Sequence, residues 1–313
     1  MLGLPLSLRS VWVVASNDVW SVTLEGLVLH YDGASWTTAY EANHELYAVW
    51  ATPTSVWAGG EAGLVLHRNA AGEWSRVDAP HASPIHAIYG TDDDDVWLTR
   101  DDASVDHFDG TALKNYPIDV PGLKVTTVFG RPGFGTYAAG HVPGPPRTSG
   151  RIQDQPYVFE LSTTNISVFS TALTAQRAFL PMTGAATASP DPNRRIYLFG
   201  YDFDPALSPN NRHSAKYCLF GSSSPVSIRT LNALDFTLDE ARARERRAPI
   251  LVYGDDDIRF VWSHTMLATW NGSGRSNLGM GNDFPFWGVF GAHRNATDVW
   301  VVGNGFALKG ATP

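Results

Sequence analysis

The sequence is poor in the features that would assign it quickly. One cysteine in 313 residues, Cys218, allows no internal disulfide and fits a reducing compartment. It sits in the apolar run Tyr217-Cys218-Leu219-Phe220 and reads as core, not as a nucleophile. No apolar run approaches membrane-spanning length. The opening Met1-Leu2-Gly3-Leu4-Pro5-Leu6 carries no basic segment, and polar residues follow by Ser7 and Arg9, which is not the pattern of a signal peptide. The expectation is a cytoplasmic protein with no membrane contact, export being possible only if a leader has been removed. A net charge of −8 argues against a nucleic-acid partner. Zinc-ligand spacing, a Walker loop and a Gly-x-Ser-x-Gly elbow are all missing. Asp92 to Asp95 and Asp255 to Asp257 lack the interleaved Gly and carbonyl donors of a calcium loop, and read as surface turns. No metal and no cofactor are expected.

What the chain does contain is a repeat. Asp18-Val19-Trp20, Ser55-Val56-Trp57, Asp95-Val96-Trp97 and Asp298-Val299-Trp300 each follow an apolar-aromatic pair by seven to ten residues. Those pairs are Val11-Trp12, Val49-Trp50, Ile88-Tyr89 and Val289-Phe290, and weaker copies end at Tyr137, Tyr197 and Phe260. Spacings of 37, 40, 40, 60, 63 and 40 residues between anchors indicate units of about forty residues with several short strands each. Within the second unit, Leu46 to Trp50, Val56 to Ala58, Leu64 to His67 and Trp74 to Val77 alternate with turns rich in Gly, Pro and Asn. A four-stranded sheet of this kind cannot bury both faces alone, so its neighbours must stack on it. The anchors then become packing residues between units. His30, His67 and His107 recur at one position of three units, too far apart to share an ion, and read as structural.

The expected fold is all-β: one domain over 1–313, a seven-bladed β-propeller of four-stranded antiparallel blades. Its blades fall near 11–45, 46–84, 85–124, 125–177, 178–248, 249–285 and 286–310, the last completed by residues 1–8. The final unit stops without an outer strand, and residues 2–6 are in register to supply it beside 306–309, removing an open edge. Thr237 with Glu240 forms a capping box, which predicts a short helix over 237–247.

Asp-Val-Trp together with Gly-x-x-Gly-Leu-Val-Leu-His and Tyr-Asp-Gly-x-x-Trp resembles the BNR/Asp-box-like, or Ycf48-like, bacterial β-propeller repeats. The resemblance is carried by residues 11–110 and 286–310. It implies a propeller with a binding or assembly role. The Asp-box itself is reduced to Asp32-Gly33-Ala34-Ser35-Trp36, and as a fold element it licenses no glycosidase activity.

The repeats also serve as an internal alignment: positions that stay constant are structural, and positions that vary at one end of the barrel are candidates for a site. Four residues past each anchor stand Leu24 (then Glu25), Glu61, Asp101, His141, Tyr201, His264 and Asn304. Three residues before each first-strand aromatic stand Arg9, Tyr47, His86, Thr126, Phe179, Ile250 and Trp287. Both sets should lie on one face, the second nearer the axis, with longer loops at 141–156 and 201–215 rising above it. The expected ligand contacts are Arg9, Tyr47, His86, Trp287, Tyr201 and Asn304, and the ligand a small molecule, peptide or glycan bound by a monomer. Ligand binding or scaffolding is the leading function. Two alternatives stay open: an enzyme with His86, His141 or His264 as general base and Glu61 or Asp101 as partner, and a lectin-like propeller.

Overall fold

The computed structural model describes residues 6–79, 81–100, 102–131, 133, 135–144, 154–169, 180–186, 196–203, 213–220, 227–231, 250–254, 257–263, 266–270, 275–279, 290–292, 299–303 and 306–310. Their regular structure is strand, apart from one 3-10 turn at Glu61–Gly63. The first sheet pairs β1 (Leu8–Ala15), β2 (Asp18–Thr23), β3 (Leu27–Tyr31) and β4 (Trp36–Glu41) in chain order. The second does the same with β5 (Leu46–Ala51), β6 (Val56–Gly60), β7 (Val65–Arg68) and β8 (Trp74–Val77). In the third sheet the strands are β9 (Ala87–Asp92), β10 (Asp95–Thr99), β11 (Ser104–Phe108) and β12 (Leu113–Pro117). The fourth sheet holds β13 (Lys124–Arg131), β14 (Gly135–Val142), β15 (Gln155–Leu161) and the two-residue β16 (Ser167–Val168).

Two further four-stranded sheets follow. One comprises β17 (Leu180–Ala186), β18 (Ile196–Phe203), β19 (His213–Phe220) and β20 (Ser227–Leu231). The other comprises β21 (Ile250–Gly254), β22 (Asp257–Ser263), β23 (Met266–Trp270) and β24 (Arg275–Gly279). A three-stranded sheet ends the series, with β25 (Phe290–Ala292), β26 (Val299–Gly303) and β27 (Phe306–Gly310). Pairing is antiparallel throughout, as hairpin-length connections require. The helix expected over 237–247, and residues 1–5 expected beside β27, lie outside the described residues.

The repeated residues explain why the first units fold alike. In the first four sheets the first-strand aromatic lies opposite the second-strand anchor: Trp12 opposite Trp20, Trp50 opposite Trp57, Tyr89 opposite Trp97 and Phe129 opposite Tyr137. In the last three, Tyr197, Phe260 and Trp300 lie opposite Ala185, Ile250 and Gly291 instead. The anchor in turn lies opposite the recurring histidine, Trp20 with His30, Trp57 with His67 and Trp97 with His107, ring centroids 4.2 Å apart in each pair. Asp18 Oδ1 accepts from Trp20 Nε1 at 2.7 Å and from His30 Nε2 at 2.9 Å. Asp95 Oδ1 accepts likewise from Trp97 at 2.9 Å and His107 at 2.7 Å. In the second sheet Ser55 stands in place of that aspartate. Its hydroxyl reaches His67 Nε2 at 3.0 Å, but Trp57 Nε1 is left buried without a partner. The histidines are thus parts of the fold, as their recurrence implied.

Three anchors also join sheets, each in the forward direction. Trp20 packs edge-on against Trp74 of the second sheet, and Trp57 lies 4.7 Å from Phe108 of the third. Trp300 of the last sheet packs at 4.9 Å on Tyr31 and 5.4 Å on Trp36 of the first. Leu6, Leu8, Val11, Val13, Val19, Leu29, Trp300 and Val302 make one buried cluster, so Leu6 and β1 pack against the last sheet. Strand β1 opens at Leu8, paired with Thr23, three residues ahead of the blade start expected at 11. The turns at the opposite end of the sheets add a further link. Asp93 accepts from the hydroxyls of Thr52 and Thr54 in the second sheet, so the aspartate run is a clasp between sheets as well as a surface turn.

Candidate functional site

The candidate face is assembled by irregularities in the first strands of the first, second and fourth sheets. Pairing registers skip one residue between Leu8 and Ser10, Leu46 and Ala48, and Val125 and Thr127. The skipped residues are Arg9, Tyr47 and Thr126, three of the expected inner positions. A bulge leaves one residue unpaired and re-aims its side chain. On either side of it the chain stays in the core: Leu8, Leu46 and Val125 have no exposed surface. His86 takes the same place in the third sheet, just before β9, its N–H donating to Thr99 O at 2.9 Å. Four sheets therefore present a non-core side chain at one equivalent point. Below them Trp12 packs on Trp50 at 6.3 Å and on Tyr89 at 6.4 Å, an aromatic floor.

Hairpins between second and third strands meet this level from the outer side. Glu61 N donates to Glu45 O at 2.9 Å, Ile85 N to Gly60 O at 2.9 Å, and Val125 N to Asp102 O at 3.0 Å. The first of these ties the hairpin to the start of its own sheet; the other two run from a hairpin carbonyl to the first-strand side of the following sheet and set neighbouring sheets at a defined height. Glycine is required at Gly60 and Gly140, where a Cβ would collide with Glu45 O and Lys124 O respectively.

Tyr47 and His86 come together as a stacked pair, 5.5 Å between centroids and 22° between planes. The Tyr47 hydroxyl donates to Glu45 Oε2 at 2.8 Å. Burial, then the Glu45 bond and the Glu45 and Glu61 charges, push the phenol up to about 12, while Arg9 pulls the other way. Tyr47 is therefore a hydrogen-bond donor at neutral pH, not a base. Glu61, on the 3-10 turn, lies 3.7 Å from His44 Nδ1, both side chains about half exposed. His141, at the end of β14, is buried with its Nε2 3.7 Å from Asp154 Oδ2, and Asp154 Oδ1 accepts from Gly144 N at 3.2 Å. Thr126 Oγ1 donates to Ala139 O at 3.1 Å.

The expected residues thus divide. Arg9, Tyr47, His86 and Glu61 share one neighbourhood, with Arg9 and Glu61 both acting on the Tyr47 hydroxyl. His141 belongs to the fourth sheet and has a carboxylate of its own. Tyr201 is on β18, its backbone opposite Leu180 and Ala215. Asp101, His264, Trp287 and Asn304 lie outside the described residues. Comparison of the repeats overlooked Glu45, His44 and Asp154, which occupy connectors of unequal length and so have no counterpart from unit to unit. Among the described residues no group of three or more His, Cys, Asp or Glu is placed to hold a metal ion, and no helix is long and apolar enough to cross a membrane.

No family model matches the sequence, and no curated protein matches it. Solved structures do match in shape. A structure titled as YCF48 bound to a D1 peptide aligns with TM-score 0.66 at 10% identity, covering 100% of this chain and 94% of the other. U3-55K aligns with TM-score 0.61 at 9% identity over 96% of this chain and 90% of its own. The WD40 propeller domain of Doa1 gives 0.61 at 13% identity over the same shares of the two chains. At such identities the likeness concerns architecture alone, and with the antiparallel four-stranded sheets it makes the chain an all-β protein of β-propeller fold.

Proposed function

We propose that the chain is a seven-bladed propeller, completed by the segment before β1 pairing beside β27, and that it binds a peptide on the face carrying the bulged residues. The ring reading draws on the forward contact of Trp300 with Tyr31 and Trp36, which repeats between last and first sheets what Trp57 and Phe108 do between second and third. One observation carries the binding reading. Bulges aim Arg9, Tyr47 and Thr126 out of the core, His86 stands at the equivalent point, and these four positions differ in chemistry although the packing beneath them is the same. Stacked rings bordered by Glu45, Glu61 and Arg9 offer apolar area and polar contacts of both signs, a composition suited to a peptide. The peptide complex of YCF48, a protein of similar shape, supports the same class of ligand. The protein so read is a monomeric binder or scaffold of the cytoplasm.

The experiment is enrichment of a random-peptide display library on the purified protein, followed by calorimetry against Tyr47→Ala/His86→Ala. Enriched peptides should lose about tenfold or more in affinity. Equal binding by the double variant would remove the face from the account. A library that yields nothing, while a glycan array or a metabolite set does, would replace the peptide with that ligand class. The enzyme reading has one specific support, the buried His141 beside Asp154; a substrate turned over by wild type but not by His141→Ala would establish it.

A further inference from the structure

The third sheet departs from its neighbours at the hairpin that meets this face. Aligned on the anchors, the first sheet reads Thr23-Leu24-Glu25-Gly26-Leu27-Val28-Leu29 and the second Gly60-Glu61-Ala62-Gly63-Leu64-Val65-Leu66. In the third the same positions read Arg100-Asp101-Asp102-Ala103-Ser104-Val105-Asp106. Gly26 and Gly63 turn their hairpins with φ of 84° and 70°, a conformation open to glycine. Ala103 replaces that glycine, Ser104 and Asp106 replace two core leucines, and Arg100 stands where the others have Thr23 and Gly60.

These departures form a single network. Arg100 is 1% exposed; it donates from Nη1 to Asp106 Oδ2 at 2.5 Å and from Nη2 to Ser104 Oγ at 2.9 Å, and its Nε lies 3.4 Å from Asp102 Oδ2. Asp102 Oδ1 accepts from Ser104 N at 3.0 Å and Ser104 Oγ at 2.7 Å. Asn115 Nδ2 satisfies the remaining oxygen of Asp106 at 3.0 Å. A guanidinium fork thus does with side chains what a left-handed glycine does in the adjacent sheets. A buried ion pair is a weak source of stability, and apolar residues of similar volume usually replace it at no loss. Leu29 and Leu66 show that this fold packs with leucine at the position of Asp106.

We propose that Arg100 and Asp106 are a positioning pair: they hold the turn at 102–104 rigid so that Asp102, whose side chain is 43% exposed, is presented in a set orientation on the ligand face. The pair is there for that placement and not for stability. What the hairpin contacts rests on the peptide-face reading above; its rigidity does not.

The test is the Arg100→Met/Asp106→Leu double variant, compared with wild type by melting temperature and by amide hydrogen exchange. The melting temperature should stay level or rise. Exchange at Ser104, Ile118 and Val125, whose amides bond to Asp102 Oδ1, Ala103 O and Asp102 O, should quicken about tenfold or more. A double variant that melts well below wild type, or whose three amides stay as protected as before, overturns the inference. If the peptide selection fails, the face reading falls and the exchange result still decides this one. Where peptides are enriched, the double variant should bind them about tenfold more weakly, and undiminished binding would also overturn the positioning role.

Discussion

The two ends of a sheet in this protein obey different rules. At the anchor end, the first three sheets repeat one arrangement of carboxylate or hydroxyl, tryptophan and histidine, with identical ring spacing. At the hairpin end the same three sheets carry Glu25, Glu61 and Asp102 on turns built in two different ways. The anchor end is where sheets grip each other, so a change there is felt across an interface. The hairpin end rises above the aromatic floor, where side chains can vary without disturbing the packing below. Repetition therefore marks the half of each unit that makes the fold, and divergence the half available for recognition.

The sharpest way to break that contrast is to truncate the anchors. Trp57→Ala and Trp97→Ala should each cost about 3–5 kcal/mol in denaturant unfolding, as large-to-small changes at fully packed sites. If either leaves stability unchanged, the anchor end is not the structural one. Asp95→Ser imposes on the third sheet the arrangement native to the second. It should cost about 1–3 kcal/mol by stranding Trp97 Nε1 and weakening the His107 contact. The same variant should flatten the acid limb of stability. His107, with Thr91 and Trp97, holds the Asp95 carboxyl below the usual carboxylate range. That contribution is present above the unfolded value, near about 3.9, and is lost as pH falls through the lower folded one. Wild type should therefore lose more stability than Asp95→Ser between about pH 4 and pH 2. Parallel acid limbs would deny the carboxylate its role.

At the other end, Tyr47→Ala should weaken binding of a selected peptide by about 1–3 kcal/mol while shifting stability little. The reverse pattern would make Tyr47 an anchor in disguise. The smallest effect is a gain. Ser55→Asp offers Trp57 Nε1 the acceptor that the other two sheets possess, for about 0.5–1.5 kcal/mol. Burial now holds His67 below the usual imidazole range, and a carboxylate in place of the Ser55 hydroxyl should raise its titration midpoint in NMR. A midpoint unmoved or lowered would show that the introduced carboxylate does not reach the imidazole.

Much of this division can be read from the residues before any coordinates. Trp12 opposite Trp20 and Trp20 opposite His30 follow from strand spacing and tight Asp-Gly turns, because antiparallel register is set locally. Tyr47 beside His86 was also legible, since equivalent positions of adjacent units must be neighbours. Arg100 was not. The repeats were compared one residue further on, at Asp101, and the arginine among Thr23, Gly60 and Gly140 was the signal passed over. Asp154 under His141 and Asp93 under Thr52 and Thr54 depend on loop paths and on contact between sheets, which period alone does not encode.

Where Trp20, Trp57 and Trp300 reach forward, the contact between sheets is a head-to-tail joint, with a donor ring on one side and an aromatic receptor on the other. Joints of that kind have no internal stopping point; they end only when the last donor finds the first receptor. Trp300 packing on Tyr31 and Trp36 is a joint of this kind between the last sheet and the first, and in the seven-bladed reading proposed above it is that terminus. A chain caught with the joint unmade would expose a donor at one end and a receptor at the other, fitted to its own copies. Concentration during refolding should thus decide between monomers and linear polymers, and the polymers should grow from their ends.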